Sequence, residues 1–196
     1  MREVRWASEE DGGIEHLAFD ANAEGNVVES VQTGQRDGRA YGLCYRIECD
    51  AQWRVKHAFL RVMGGASLEL HGDGAGHWRD GKGLALEPID GCIDIDIAAT
   101  PYTNTLPIRR LKLRKDERRV LEMAYISVPD LQVTRMRQAY TCIEPDREYR
   151  YESVGSNFAA NLKVDEDGLV IDYPALFRRL PMAGSGIDQT INVAGT

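Results

Sequence analysis

Alternation of apolar and polar residues with a period of two runs through most of the chain and predicts strands. Tyr41, Leu43, Tyr45, Ile47 and Cys49 fall on one side of such a strand, opposite Gly42, Cys44, Arg46 and Glu48. Leu68 and Leu70 alternate with Glu69 and His71, and Tyr149 and Tyr151 alternate with Glu148, Arg150 and Glu152. Phe158, Ala160, Leu162 and Val164 oppose Asn157, Asn161, Lys163 and Asp165; past a turn, Leu169, Ile171 and Tyr173 continue the pattern. Between Leu131 and Cys142, the residues Gln132, Thr134, Met136, Gln138 and Tyr140 share a face. The run Trp53 to Met63 is rich in β-formers but alternates imperfectly, which points to burial on both faces or to a bulge.

The punctuation agrees. Asp11-Gly12-Gly13, Glu24-Gly25-Asn26, Asp37-Gly38, Gly64-Gly65, Asp73-Gly74, Asp80-Gly81, Asp90-Gly91, Glu144-Pro145-Asp146 and Asp167-Gly168 are turn signals between the apolar runs. Asp-Gly suits hairpins because both positions tolerate positive φ. The expected fold is therefore all-β, a roll or open barrel of a dozen or more antiparallel strands. It is expected as a single domain over residues 1–180, followed by a mobile tail over 181–196 that is small, polar and aperiodic. Ala175 to Leu180 reads as a short helical turn or coil after Pro174.

The densest chemistry lies in GCIDIDIAATPYTNTLPIRRL, residues 91–111. Ile93, Ile95 and Ile97 point one way from a strand and Asp94 and Asp96 the other, their Cα atoms roughly 6.5–7 Å apart. A proline-bracketed polar loop follows, Thr100 to Pro107, ending on Arg109 and Arg110. Thr105 and Pro107 could start a helix, but Leu111-Lys112-Leu113 alternates as a strand would, and the strand reading is preferred. The two aspartates face a cavity, where paired carboxylates could do acid–base work, or pair with a ligand or with arginines such as Arg109, or lie on a solvated strand face.

Composition narrows the partners. A hydrophobic fraction of 43% supports an ordinary globular core, and a formal charge of −7 argues against nucleic acid as a partner. No run approaches the ~20 apolar residues of a membrane helix. Met1 to Asp11 is charged rather than signal-like, so a cytoplasmic location is expected. Cys44, Cys49, Cys92 and Cys142 lack metal-type spacing and read as buried free thiols of a reducing compartment. In LELHGDGAGHWRDG, residues 68–81, His71, Asp73 and His77 match no metal signature; neither a metal nor a cofactor is expected. Trp78 beside Arg79 pairs an aromatic plate with a hydrogen-bond fork, a combination suited to a sugar ring, although a core tryptophan explains it equally. Ser67 and Ser127 lack a nucleophile-elbow context.

Several of these strings together carry a family likeness. HGDGAGHWRD, GCIDIDIAATPYTNTLPIRRL, Val128-Pro129-Asp130-Leu131, Gln138-Ala139-Tyr140, Tyr149-Arg150-Tyr151-Glu152 and DGLVIDYPALFRR, in this order, resemble the bacterial "putative glycolipid-binding" family, first catalogued as a domain of unknown function. The likeness spans roughly residues 5 to 180. It implies a spiral β-roll, a fold likened to bacterial lipoprotein carriers, and binding of a glycolipid-like molecule. Those carriers work outside the cytoplasm, so a cytoplasmic member would meet its ligand in the cytoplasm or at the inner membrane face.

The functional expectation is non-covalent binding of an amphipathic small molecule. Arg79, Arg109 and Arg110 would hold anionic or hydroxylated groups, and Asp94, Asp96 and Asn104 would orient hydroxyls. Trp78, Tyr102, Tyr140 and Tyr151 would supply stacking surface. Two rivals stand beside it. One is a hydrolase or isomerase of a sugar or small metabolite that uses Asp94 or Asp96 as acid or base. The other is a scaffold protein that forms a homodimer.

Overall fold

The hairpin rhythm becomes one sheet. The structure is a computed structural model and describes residues 1–182; beyond Met182 the expected tail lies outside the described residues. Seven strands form a first meander: β1 Arg2–Ser8, β2 Ile14–Ala21, β3 Gly25–Arg36, β4 Arg39–Asp50, β5 Val55–Val62, β6 Ser67–Gly72 and β7 Trp78–Asp80. A short edge strand, β8 Asp94–Ile97, and a helix, α1 Thr105–Leu111, follow. The second meander is β9 Arg118–Ile126, β10 Val133–Glu144, β11 Glu148–Ser153, β12 Ala159–Val164, β13 Val170–Tyr173 and β14 Phe177–Leu180. The 14 strands lie in the order β7-β6-β5-β4-β3-β2-β1-β14-β13-β12-β11-β10-β9-β8. The sheet is not closed into a barrel; β7 and β8 remain its two ends.

Two pairings make this a roll rather than two separate sheets. The last strand returns to the first, β14 on β1, through Arg5↔Leu180 to Ser8↔Phe177. Trp6 braces the seam: it is fully buried, donates its indole N–H to the Val170 carbonyl at 2.7 Å, and carries the Arg179 guanidinium over its ring at 5.6 Å. Asp165 accepts from Arg2 and Arg179 beside it. At the other end β8 pairs with β9 in parallel, the exception in an otherwise antiparallel sheet. Parallel neighbours need a crossover of a dozen or more residues. Residues 98–117 are that crossover, and most of it runs through the interior: Ala99 to Ile108 are all buried.

Strand faces follow the alternation because one face of each strand is covered. Leu43, Tyr45, Ile47 and Cys49 are buried, as are Tyr149 and Tyr151. The irregular Trp53–Met63 run resolves into a bulge. Glu48 pairs with His57 but Cys49 with Val55, which leaves Lys56 as the extra residue and shifts the buried set from Val55 to Ala58, Leu60 and Val62.

Three expectations are corrected. Residues 105–111 form a helix, not a strand; Lys112 takes a left-handed φ of 48°, ends the helix and redirects the chain so that Leu113 enters the core separately. A two-residue apolar spacing could not distinguish that from alternation. Ala175 to Leu180 holds a turn and then strand β14, because the free edge of β1 supplies its hydrogen bonds. Ile171 does not share a face with Tyr173: Val164 pairs with Val170 and Lys163 with Asp172, so Ile171 bulges outward.

Gly168, in the turn between β12 and β13, has φ +76°, and a Cβ there would lie 2.7 Å from Cδ of Arg109. Backbone strain and this close approach of α1 both oppose a side chain. Gly168→Ala is expected to lower stability by about 1–3 kcal/mol in urea unfolding; an unchanged midpoint would refute the close-packing account.

Candidate functional site

The interior crossover is polar, and its polar side chains reach strands of both meanders, the edge strand β8 and the β12–β13 turn. Thr100 Oγ1 donates to Glu15 on β2 at 3.0 Å, and Tyr102 Oη donates to Asn26 on β3 at 3.3 Å. Thr103 Oγ1 donates to Asp96 on β8 at 3.0 Å and accepts from the Ile97 amide at 3.3 Å. Asn104 Oδ1 accepts from Tyr140 Oη on β10 at 2.8 Å, and Thr105 Oγ1 donates to the Gly168 carbonyl at 2.9 Å. Arg110 engages Asp94 in a forked pair, with Nε 3.0 Å from Oδ1. Buried polar groups are costly unless paired; this segment meets the requirement by bonding to both meanders, except at Arg109 Nε, which has no hydrogen-bond partner among the described residues.

Arg109 and Arg110 part company because successive helical residues project about 100° apart. Arg110, not Arg109, pairs with Asp94. The Arg109 guanidinium instead stacks over Trp53 at 5.3 Å and donates to the Glu166 carbonyl at 3.2 Å. Asp94 is 1% exposed and shut away from solvent. Burial raises its carboxyl above the ordinary value, and the Arg110 hydrogen bonds oppose that rise.

Asp96 differs. It lines a cleft of about 280 Å³ between the crossover and the second meander. Thr100, Asn104, Asp96 and Ser153 are polar groups of its wall, together with the ion-paired Arg36 and Glu10; Tyr125, Tyr151, Phe158, Tyr173 and Phe177 supply rings, and Ile97, Ala98, Met136 and Leu176 complete the lining. The rings form a connected series. Tyr151 meets Tyr140 edge-on at 5.6 Å between centroids, Phe158 and Tyr173 each at 6.0 Å, and Tyr173 meets Phe177 at 6.2 Å. Phe158 is 38% exposed while Thr100 and Asn104 are buried, so the polar groups lie at the deeper end.

Burial pushes the Asp96 carboxyl up, against hydrogen bonds from Gln138 and Thr103. Burial first, and then the Asp96 charge, raises the phenols of Tyr125, Tyr140 and Tyr151. Tyr173 is raised by burial, then by Tyr151 and Asp96. The phenols therefore stay neutral and keep an O–H to donate, around the Asp96 carboxyl group; the other carboxylate of the lining, Glu10, is ion-paired with Arg36.

Among the residues singled out in the sequence, Asp96, Asn104 and Tyr151 come together at this cleft, with Tyr140 behind them. Asp94, Tyr102, Arg109 and Arg110 sit in the interior packing of the crossover. Trp78 is 2% exposed and donates to the Cys92 carbonyl at 2.6 Å, so its face is covered by core; Arg79 is exposed and donates to the Gly83 carbonyl. Sequence reasoning missed Tyr125, Phe158, Tyr173 and Phe177 as a group. The available signal was aromatic residues at inward positions of successive strands, but which strands face one another depends on the curl.

A buried carboxyl anchors the crossover to the first meander. Glu15 Oε1 accepts from Ser30 at 2.7 Å, Tyr45 at 2.5 Å and Thr100 at 3.0 Å. Its Oε2 and the neighbouring Gln32 Nε2 have no hydrogen-bond partner among the described residues. Burial lifts the Glu15 pKa from 4.5 to about 7, against those three hydrogen bonds.

Residues 3–179 match the model of the family described as "Putative glycolipid-binding". The chain is 44% identical to a crystallographically solved DUF1089 family protein from Pseudomonas aeruginosa, with a TM-score of 0.77 over 85% of this chain and 92% of that one. No curated protein matches the chain.

Two outcomes follow from the buried charges. Arg110→Met strands the Asp94 carboxylate and should cost about 3–5 kcal/mol in chemical unfolding, whereas Asp94→Leu combined with Arg110→Met should cost clearly less; a double variant as unstable as the sum of the singles would contradict this. For Glu15, the unfolded chain loses its proton near pH 4.5 and the folded chain near 7. Between these values the native state holds the extra proton, so stability falls as pH rises, by about 3 kcal/mol across the window. Glu15→Gln lacks this term. Its stability relative to the parent should climb from pH 4.5 to 7 and then level off, and parallel pH profiles would exclude the assignment.

Proposed function

The chain belongs to the family described as "Putative glycolipid-binding", and we propose that it binds an amphipathic molecule with a sugar-type headgroup, non-covalently, in the cleft beside the crossover. The observation that carries this is the amphipathic lining itself. Asp96, Asn104 and Thr100 can accept from or orient hydroxyls, while the Tyr151–Phe158–Tyr173–Phe177 rings offer stacking faces. At about 280 Å³ the cleft lies just below the usual range of ligand pockets. That volume suits one sugar ring with a short apolar stem rather than a pair of complete acyl chains. The stem would leave across Phe158, Phe177 and Met136.

Glycoside hydrolysis is less well supported. It requires two carboxyl groups flanking one bond; Asp94 is committed to Arg110 away from the cleft, and the second carboxyl group of the lining, Glu10, is paired with Arg36. Cys49, Cys92 and Cys142 are buried free thiols, whereas Cys44, expected to be buried, is exposed on the outer side of β4; the four free thiols fit a reducing, cytoplasmic setting. No helix among the described residues is long and apolar enough to cross a membrane.

The test is a titration of the full chain with octyl β-glucoside below its micellar concentration, followed by two-dimensional NMR. Saturable shifts should cluster on residues of the cleft. Phe158→Ala, at a partly exposed ring, should weaken binding about three- to tenfold, as loss of one aromatic contact of 0.5–1.5 kcal/mol implies. Shifts confined to the outer sheet face, or an unaltered affinity in Phe158→Ala, would remove the cleft from consideration.

A further inference from the structure

A second constellation lies on the outer face of the first meander, away from the cleft. Register sets it up: Glu48 on β4 stands beside His57 on β5, which stands beside His71 on β6. Glu69, two residues before His71, projects from the same face of β6. The two imidazoles stack at 4.8 Å between centroids. One carboxylate oxygen, Glu69 Oε1, lies 3.1 Å from His57 Nε2 and 3.3 Å from His71 Nε2. One ligand atom from each of the three residues falls within 4.8 Å of the others.

These separations have a specific chemical meaning. A tetrahedral zinc-class ion with bonds of about 2.0–2.1 Å to nitrogen and oxygen holds its ligand atoms about 3.3–3.4 Å apart. Both nitrogen–oxygen edges are already near that length. The remaining His57 nitrogen, Nδ1, faces Glu48 Oε1 at 3.8 Å, and Glu48 is itself held by Arg46 at 2.9 Å. A carboxylate behind the second ring nitrogen is the usual orienting partner of a metal-bound imidazole. His57 and His71 are partly exposed, which leaves a fourth position for solvent.

We propose that His57 and His71, through Nε2, and Glu69, through a carboxylate oxygen, form a binding site for a divalent transition ion of the zinc class. Glu48 acts as the positioning residue for His57. Two imidazoles and one carboxylate favour Zn²⁺ or Co²⁺ over Mg²⁺ or Ca²⁺, which prefer all-oxygen shells. The bound ion ties β5 to β6 next to the sheet end at β7, where a three-residue strand offers little pairing of its own. The exposed His77–Asp73 pair, 2.7 Å apart in the β6–β7 turn, is a separate feature and supplies the control.

The experiment is titration of the full chain with Co²⁺, read by visible d–d absorption, and with Zn²⁺, read by calorimetry and thermal unfolding. The expected result is one equivalent bound, a tetrahedral-type Co²⁺ spectrum and a higher Tm with Zn²⁺. His57→Gln and His71→Gln should each weaken binding by more than about tenfold, Glu48→Gln by about tenfold, and His77→Asn not at all. Because all four side chains lie on the surface, circular dichroism of the metal-free variants should match the parent. Absence of stoichiometric binding overturns the proposal. So does binding that survives the His57 and His71 changes, or that disappears with His77→Asn.

Discussion

Thr100 to Arg110 passes through the inside of a sheet that curls around it, where water cannot serve its hydroxyl, amide and guanidinium groups. Most find a partner on the surrounding sheet, and the partners come from both meanders: Glu15 and Asn26 from the first, Tyr140 and the β12–β13 turn from the second, Asp94 and Asp96 from the edge strand β8. A flat sheet could not supply acceptors on so many sides. The curl, the β14–β1 seam and the parallel β8–β9 pairing are therefore parts of one solution. An apolar crossover would fill the same volume but would leave the relative setting of the two meanders less closely specified.

The cleft is a by-product of that arrangement. Its inner polar groups, Asp96, Asn104 and Thr100, belong to the crossover and its edge strand, and they hold the roll together through their other hydrogen bonds. The proposed binding and the stability of the roll would thus share residues. The most exposed ring of the aromatic series is Phe158, whereas Phe177 is also held in the β14 seam with β1 and β13. The inner polar end is preorganised because its side chains are already fixed by strand partners, which limits the ordering cost of binding a ligand there.

Charge contributes unevenly. The exterior carries many arginine–carboxylate pairs, such as Arg46 with Glu29 and Arg39 with Asp130, but exposed pairs of this kind are individually worth about 0–1 kcal/mol. The energetic weight rests on the few buried groups. Asp94 with Arg110 is paired and forked, whereas Glu15 is buried without a cation and remains protonated to about pH 7. The first is costly to break in half, and the second makes stability pH-dependent.

Strand faces and most turns were legible in the order of residues, because alternation and Asp-Gly dipeptides act over two to four positions and need no distant partner. The bulge at Lys56 announced itself as broken alternation for the same reason. The family likeness, too, was carried by local strings such as TPYTNTLPIRRL. Local order could not choose between strand and helix at Leu111-Lys112-Leu113, where the left-handed Lys112 decides. Nor could it foresee that Phe177 to Leu180 would pair with the first strand. Which arginine meets Asp94, whether Trp78 shows its face, and which tyrosines gather around Asp96 were settled by the curl of the sheet. Alternation says that a side chain points inward. Only closure of the roll, driven by the need to satisfy a polar segment in its interior, says what it meets there.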